Sequence, residues 1–188
     1  AEIIRKNYDG KEKTALAFKI VKEVCENKMF DRYDNIKRIE LAVRIGLSII
    51  TDGVVVAPTE GIQGVSHYKN QDNSDYISIV YAGPIRGAGG TAAALSVAFG
   101  DYARKLFNIG AYKPTQEEVE RYVEEVELYH MKAHLQYRPS DDDLRSIVSN
   151  CPVCVDGVST EDIELNVHRD IKRREFTGKE VIVTNRVR

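Results

Sequence analysis

The chain of 188 residues has no tryptophan, three cysteines, two methionines and five prolines. Three cysteines are too few for a scaffold stapled by disulfides. It has no long apolar run either. Val54-Val55-Val56-Ala57 is strand length, far short of the roughly 18 residues that a membrane span needs. There is no internal repeat, which sets solenoids aside, and no low-complexity linker. An excess of positive charge is missing as well. Lys and Arg total 27 against 29 Asp and Glu, a net of −2. A surface made throughout for nucleic acid is therefore excluded, and any DNA contact has to be a local patch. The opening AEIIRKNYDG has no initiator Met and no charged-then-apolar leader. It reads as an excised piece of a longer protein without a secretory signal, and the expected compartment is the cytoplasm.

What is present is an ordinary globular balance, 43% hydrophobic and 30% charged. The length suits one domain, or one domain with a small appendage, and is enough to bury a real core. Lys11 to Asn27 has Leu16, Ala17, Ile20, Val21 and Val24 on one stripe, the pattern of an amphipathic helix. Ile36, Ile39, Val43 and Leu47 predict a second helix from Asp31 to Ile50, ended by Thr51-Asp52-Gly53. Val54 to Val65 reads as an irregular edge segment marked by Pro58, Gly61 and Gly64. His67 to Ser74 reads as a hairpin loop, and the strand that begins at Asp75 alternates at Ile77, Ile79 and Tyr81, as a half-buried strand does. A mostly apolar helix follows from Thr91 to Phe107. Thr115 and Glu118 form a capping box that opens the next helix, which runs to about Leu135. Ser140 caps another. Leu165, Val167 and Ile171 suggest a strand in the tail, and Val181 to Asn185 another. The expected architecture is α+β and mainly helical, with a small sheet packed on a helical core. Residues 1–163 form the helical domain, and 164–188 a basic extension or the start of the next segment.

The most informative stretch is Asp75 to Phe107, read as strand, glycine-rich turn and helix. Gly83, Gly87, Gly89 and Gly90 surround Pro84 and Arg86, and Thr91 is placed to cap the helix. Glycines let backbone N–H groups approach a ligand, and a helix N-terminus offers free donors to an anion. Arg86 adds a planar two-pronged donor. The run is no Walker A loop, because no Lys precedes Thr91, and the G-x-G-x-x-G spacing of the dinucleotide fingerprint fails. A plain connector between a strand and a tightly packed helix explains the same residues without a ligand.

The other charged groups carry their own alternatives. From Asn166 to Arg188 there are seven bases against three acids, a net of +4. Arg169, Lys172, Arg173, Arg174 and Lys179 are candidate phosphate contacts there, or a solvated basic segment. The acids from Glu117 to Glu127 read as a solvated face. Asp141-Asp142-Asp143 invites a metal, but consecutive helical residues diverge by about 100° and the helix dipole explains them. Cys151 and Cys154 have half of a zinc signature, and Cys25 and His168 are poor completions, so a buried reduced pair or a disulfide is the simpler reading. His130 and His134 share a helix face at i, i+4, but Met131 stands where a metalloprotease needs Glu. Tyr68, Tyr76 and Tyr81 flank the turn, as base-stacking residues or as core.

The strings AGPIRGAGGTAAALSVAFGDYARK and ERYVEEVELYHMKAHLQYRPSDDDLRSIVSNCPV resemble the N-terminal region of the large subunit of archaeal family-D DNA polymerases. RKNYDGKEKTALAFKIVKEV and TDGVVVAPTEGIQGV resemble it too, so the likeness covers nearly the whole chain. Gly87 replaces a family Ser, and Val183 stands where an acid is usual. The resemblance implies a replicative, multi-subunit DNA-directed DNA polymerase, a nucleotidyltransferase whose small subunit is a 3′–5′ exonuclease. It implies that the catalytic aspartates lie beyond this segment and that no residue here is catalytic. No metal is expected in this segment; Mg²⁺ is expected for the whole polymerase. The expected partners are DNA, the small subunit and further large subunits. The expected role is assembly and DNA engagement through Arg86, Gly87, Gly89, Gly90, Thr91 and the basic tail. The alternative is a dimerisation or docking domain that never meets DNA.

Overall fold

The computed structural model describes residues 13–51, 60–83, 85 and 90–157, with the backbone alone at 132–133, 175–176 and 179–180. Among these the fold is α+β and mainly helical. The helices are α1 (Lys13–Glu26), α2 (Asn35–Ile50), α3 (Gly90–Leu106), α4 (Gln116–Ala133) and α5 (Asp141–Ser149). The sheet joins β1 (Ile62–Lys69), β2 (Asp75–Tyr81) and β3 (Cys154–Gly157) in that spatial order. A separate hairpin pairs β4 (Glu175–Phe176) with β5 (Lys179–Glu180). The tail strands expected around Leu165, Val167 and Ile171 and from Val181 to Asn185 lie outside the described residues, as does the boundary at 163.

The apolar stripes read from the sequence do the packing. Ala17, Val21, Val24 and Cys25 of α1, Ile39, Ala42, Val43 and Leu47 of α2, and Ala92, Phe99 and Ala103 of α3 share one core with Ile77 and Ile79 of β2. Phe18 meets Phe99 and Tyr102 edge-on, with centroids 4.9 and 5.6 Å apart. Each large side chain buried this way contributes roughly 1.5–3 kcal/mol.

Local chemistry sets the element ends. Asp34 accepts from the Lys37 N–H at 2.7 Å and caps α2. That helix therefore starts at Asn35 and not Asp31; Lys28–Phe30 forms a short 3₁₀ turn before it. The capping box at Thr115 and Glu118 is present with both bonds. Helix α4 stops at Ala133, where His134 takes a left-handed conformation (φ 50°). Ser140 caps α5 by accepting from Asp143 N–H at 3.1 Å.

The sheet departs from expectation in three ways. β1 runs on through His67, Tyr68 and Lys69, so the hairpin loop is confined to residues 70–74. Polar residues on the open side of an edge strand had the composition of a loop. β2 is buried on both faces and not on one, since Tyr76, Ile77, Ser78 and Ile79 are all buried in succession. Ile77 and Ile79 face the α1–α3 core, while Tyr76 packs with Tyr112, Cys154 and Tyr68 in a second cluster. β3 was not expected at all. It pairs parallel to β2, Ser78 opposite Cys154 and Tyr81 opposite Gly157, and the Tyr122 hydroxyl of α4 donates to the Val155 carbonyl at 3.0 Å.

Candidate nucleic-acid interface

The glycine-rich turn leaves the sheet after Tyr81, the last residue of β2, and returns as α3 at Gly90. Gly83, Ile85, Gly90 and Thr91 are described; Pro84, Arg86, Gly87 and Gly89 lie outside the described residues. Thr91 does not cap the helix. It is exposed and lies inside the first turn, which begins at Gly90. Glycine already fits a helix start, so the chain enters the helix one residue early.

Among the described glycines, two pairs contrast. A Cβ on Gly100 would sit 2.9 Å from Ile79 Cδ1, and one on Gly110 would sit 2.6 Å from the Asp75 carbonyl oxygen. Close packing demands those two. A Cβ on Gly83 or Gly90 would meet nothing within 4 Å. Packing gives no reason for glycine at either end of the turn.

Both ends of the turn are held. The Ala82 N–H donates to the Gly61 carbonyl at 2.9 Å, and the Ile85 N–H to the Ala82 carbonyl at 3.1 Å. The Tyr81 hydroxyl lies 2.6 Å from Ser96 Oγ, and Ser96 Oγ donates to the Ala93 carbonyl at 2.6 Å. Burial raises the Tyr81 phenol above its ordinary pKa, so the group stays a neutral donor. This tie had no signature in the sequence, because its partners are 15 positions apart.

The basic candidates of the tail are beyond the described residues at Arg169, Lys172, Arg173 and Arg174. Lys179 is described in backbone only, opposite Phe176 in the small hairpin. Tyr81, after which the turn departs, and Gly157, which ends β3, are register partners on adjacent parallel strands, whose spacing is about 4.8 Å.

The other candidate groups are dispersed into ordinary structural roles. The three aspartates of α5 point to different partners: Asp141 to Arg138 at 2.6 Å, Asp142 to Arg145 at 3.1 Å, and Asp143 to Ser140 Oγ at 2.6 Å. Among the described residues no three His, Cys, Asp or Glu side chains come together in a way that holds a metal ion. His134 has left the helix, so it does not share a face with His130. The glutamates of α4 are not uniformly solvated: Glu125 is buried beside Arg121, and Glu120 takes a forked pair of bonds from Arg145 at 2.9 and 3.0 Å.

Cys25, Cys151 and Cys154 are free thiols. Cys151 and Cys154 have different neighbours. The Cys151 thiol is directed at the Val153 carbonyl, 3.2 Å away, whereas Cys154 packs with Tyr76 and Tyr112. The two are not bridged to each other. Burial pushes the Cys25 thiol up to about 11. Tyr68 and Tyr76 stack in the second cluster, their centroids 5.8 Å apart, so both are core residues. Among the described residues no helix is long and apolar enough to cross a membrane.

The structure thus defines a mainly helical α+β domain with an open, glycine-flanked turn at one end of its sheet. Over residues 1–188 the chain matches the family described as DNA polymerase II large subunit DP2, N-terminal, and it belongs to that family of archaeal family-D polymerase large subunits. The DNA polymerase II large subunit of Methanococcoides burtonii is 48% identical over 188 residues, covering 100% of this chain and 16% of that protein. Those of Methanosarcina barkeri and Picrophilus torridus are 50% identical over 172 residues and 49% over 155. These cover 92% and 82% of this chain and 14% of each relative. The chain therefore spans only 14–16% of the length of these curated relatives.

Proposed function

We propose that this chain is a non-catalytic N-terminal module of a replicative DNA polymerase large subunit, and that it engages DNA through phosphate. Residues 1–163 form the module and 164–188 its basic extension. The whole protein is a DNA-directed DNA polymerase that needs Mg²⁺ and works in the cytoplasm with a small exonuclease subunit and further large subunits. The observation that carries the DNA contact is the open space beside Gly83 and Gly90 at the two ends of the glycine-rich turn. It leaves the backbone there accessible to a ligand. The net charge of +4 from Asn166 to Arg188 supports the same reading. The proposed phosphate contacts are Arg86, Gly87, Gly89, Gly90 and Thr91 of the turn, and Arg169, Lys172, Arg173, Arg174 and Lys179 of the tail.

The test is a titration of the chain against labelled primer-template DNA, read by anisotropy at several salt concentrations, with Arg86→Ala alongside. Affinity that falls with salt, and falls further in Arg86→Ala, is the expected result. Absence of binding at low salt removes the reading.

A second reading is a docking domain with no DNA contact. One observation favours it. From Gln116 to Ser149 there are nine acids against four bases, a surface that repels DNA, and Leu128 and Met131 are 53% and 55% exposed on α4. A chain that fails to bind DNA yet self-associates, or binds the small subunit, would establish it.

A further inference from the structure

We propose that the outward face of α4 is a docking seam for a helix of another chain, one that is apolar at one end and basic at the other. The inference rests on the reading of this chain as a docking domain and is independent of the phosphate contact. Helix α4 has two faces. Val119 and Val123 are buried, and the Tyr122 hydroxyl donates to the Val155 carbonyl of β3, so that side faces the fold. On the other side Glu117, Arg121, Glu124, Leu128 and Met131 follow one another at spacings of four, three, four and three residues. That alternation is the one of a coiled-coil seam, which recurs every 3.5 residues. From Glu117 to Met131 it runs roughly 21 Å at the helical rise.

The seam is held in place. Glu120 and Glu127 border it, and each is bonded to an arginine beyond α4, Glu120 to Arg145 at 2.9 Å and Glu127 to Arg138 at 2.6 Å. A partner therefore meets a preformed surface and has little to order on binding.

The side chains of the seam decide its occupant. Leu128 and Met131, both more than half exposed, are an i, i+3 apolar anchor of the kind by which helices dock. Toward the N-terminus the exposed residues are the acids Glu117 and Glu124. Arg121 between them is turned to the buried Glu125, 3.8 Å away. A second copy of α4 is a poor occupant. Laid parallel, it sets each glutamate beside its own copy; laid antiparallel along the seam, it sets Leu128 against a glutamate. Like charges repel in the first case and an acid is desolvated in the second. A helix with apolar residues over Leu128 and Met131, and Lys or Arg over Glu117 and Glu124, meets neither penalty.

The probe is a helical peptide of about 21 residues, three heptads. It carries Leu at the a and d positions of one half and Lys at those of the other, and is made with the basic half at either end. Its affinity for the 188-residue chain is read by anisotropy. One of the two orders should bind. The same peptide with Glu for Lys should bind about tenfold more weakly at low salt, a difference that shrinks as salt rises. Leu128→Glu/Met131→Glu should bind at least about tenfold more weakly, with its melting temperature unchanged. Ile147→Glu should bind as the parent does. Ile147 is an exposed apolar residue too, but it lies two positions after Arg145 and so on the far side of α5 from α4. Absence of binding in both orders, equal affinity for the Lys and Glu forms, or an equal loss in Ile147→Glu overturns the proposal.

The small subunit, titrated against the same variants, separates a wrong seam from a wrong docking reading. If neither peptide binds, yet the small subunit binds the parent and Leu128→Glu/Met131→Glu alike, the seam falls and docking through another surface stands. If the peptide binds and the small subunit does not, the seam stands and serves another partner.

Discussion

The ring of Phe99 occupies the space into which a side chain on Gly46 would project. A Cβ there would lie 2.9 Å from Phe99 Cδ2 and 3.0 Å from Val21 Cγ2. This contact sets how closely α2, α1 and α3 approach, and Phe99 has no room to yield because Phe18 holds it edge-on.

Gly46→Ala should therefore destabilise the chain. Overpacking a core costs about 1–3 kcal/mol, against a helix-propensity gain of about 1 kcal/mol. The expected result is a melting temperature lowered by several degrees. Gly90→Ala is the contrasting variant, since its Cβ meets open space. Its melting temperature should be equal or higher, while DNA affinity falls if the backbone at Gly90 approaches phosphate. Calorimetry and anisotropy on the two variants separate a packing glycine from a ligand-facing one.

Arg38 is the second test of the fold. It is buried, and its guanidinium donates to the Cys25 carbonyl in the last turn of α1 and to the Asn27 carbonyl just after it, and pairs with Asp31 at 3.0 Å. It also lies over the Phe107 ring, 5.4 Å from the centroid. The last carbonyls of a helix have no partner within it, so Arg38 supplies one from α2. Arg38→Ala should cost about 2–3 kcal/mol in urea unfolding, the range for hydrogen bonds from a charged donor. A loss below 0.5 kcal/mol, the scale of an ordinary surface substitution, would mean that water replaces it.

Acid should act on the junction of α4 and α5. The hydrogen bonds from Arg145 hold the Glu120 carboxyl below its ordinary value near 4.5. The folded state thus favours the ionised form. The stability this contributes is complete above the ordinary carboxylate pKa and is lost as pH falls through the lower, folded value. Urea midpoints of the parent and of Glu120→Gln should differ at pH 7 and converge at a pH below the lowered, folded value. Equal midpoints at both values would show that solvent screens the pair completely.

The sequence made the helices legible because their signals are local. The stripe at Ala17, Val21 and Val24 recurs at helical spacing, and the capping box at Thr115 and Glu118 spans three residues. The strand of β2 was legible from Ile77 and Ile79, but its second buried face was not. Ser78 read as an outward-facing position of a half-buried strand, yet it is buried, and Tyr76 beside it packs with Tyr112 and Cys154. The extension of β1 through His67 to Lys69 escaped for a related reason. An edge strand exposes polar residues on its open side, and composition there does not separate strand from loop.

The candidate interface divides along the same line. The turn and the basic tail were found by residue type, since glycines, Arg86 and a run of bases are visible without a fold. The resemblance to the polymerase large subunit rested on unusual strings of residues, which need no structure either. Nothing local told that Cys154 begins a strand, because four residues pairing in parallel with a partner 76 positions away leave no periodic trace. That pairing alone sets Gly157, the end of β3, beside Tyr81, where the turn begins. Sequence determined the helices, the charge asymmetry and the family, all of which depend on near neighbours or on residue identity. Tertiary structure decided which glycines are held by packing, which tyrosines Cys154 packs against, and how Tyr81 reaches Ser96. Those depend on contacts that exist only once distant segments have come together.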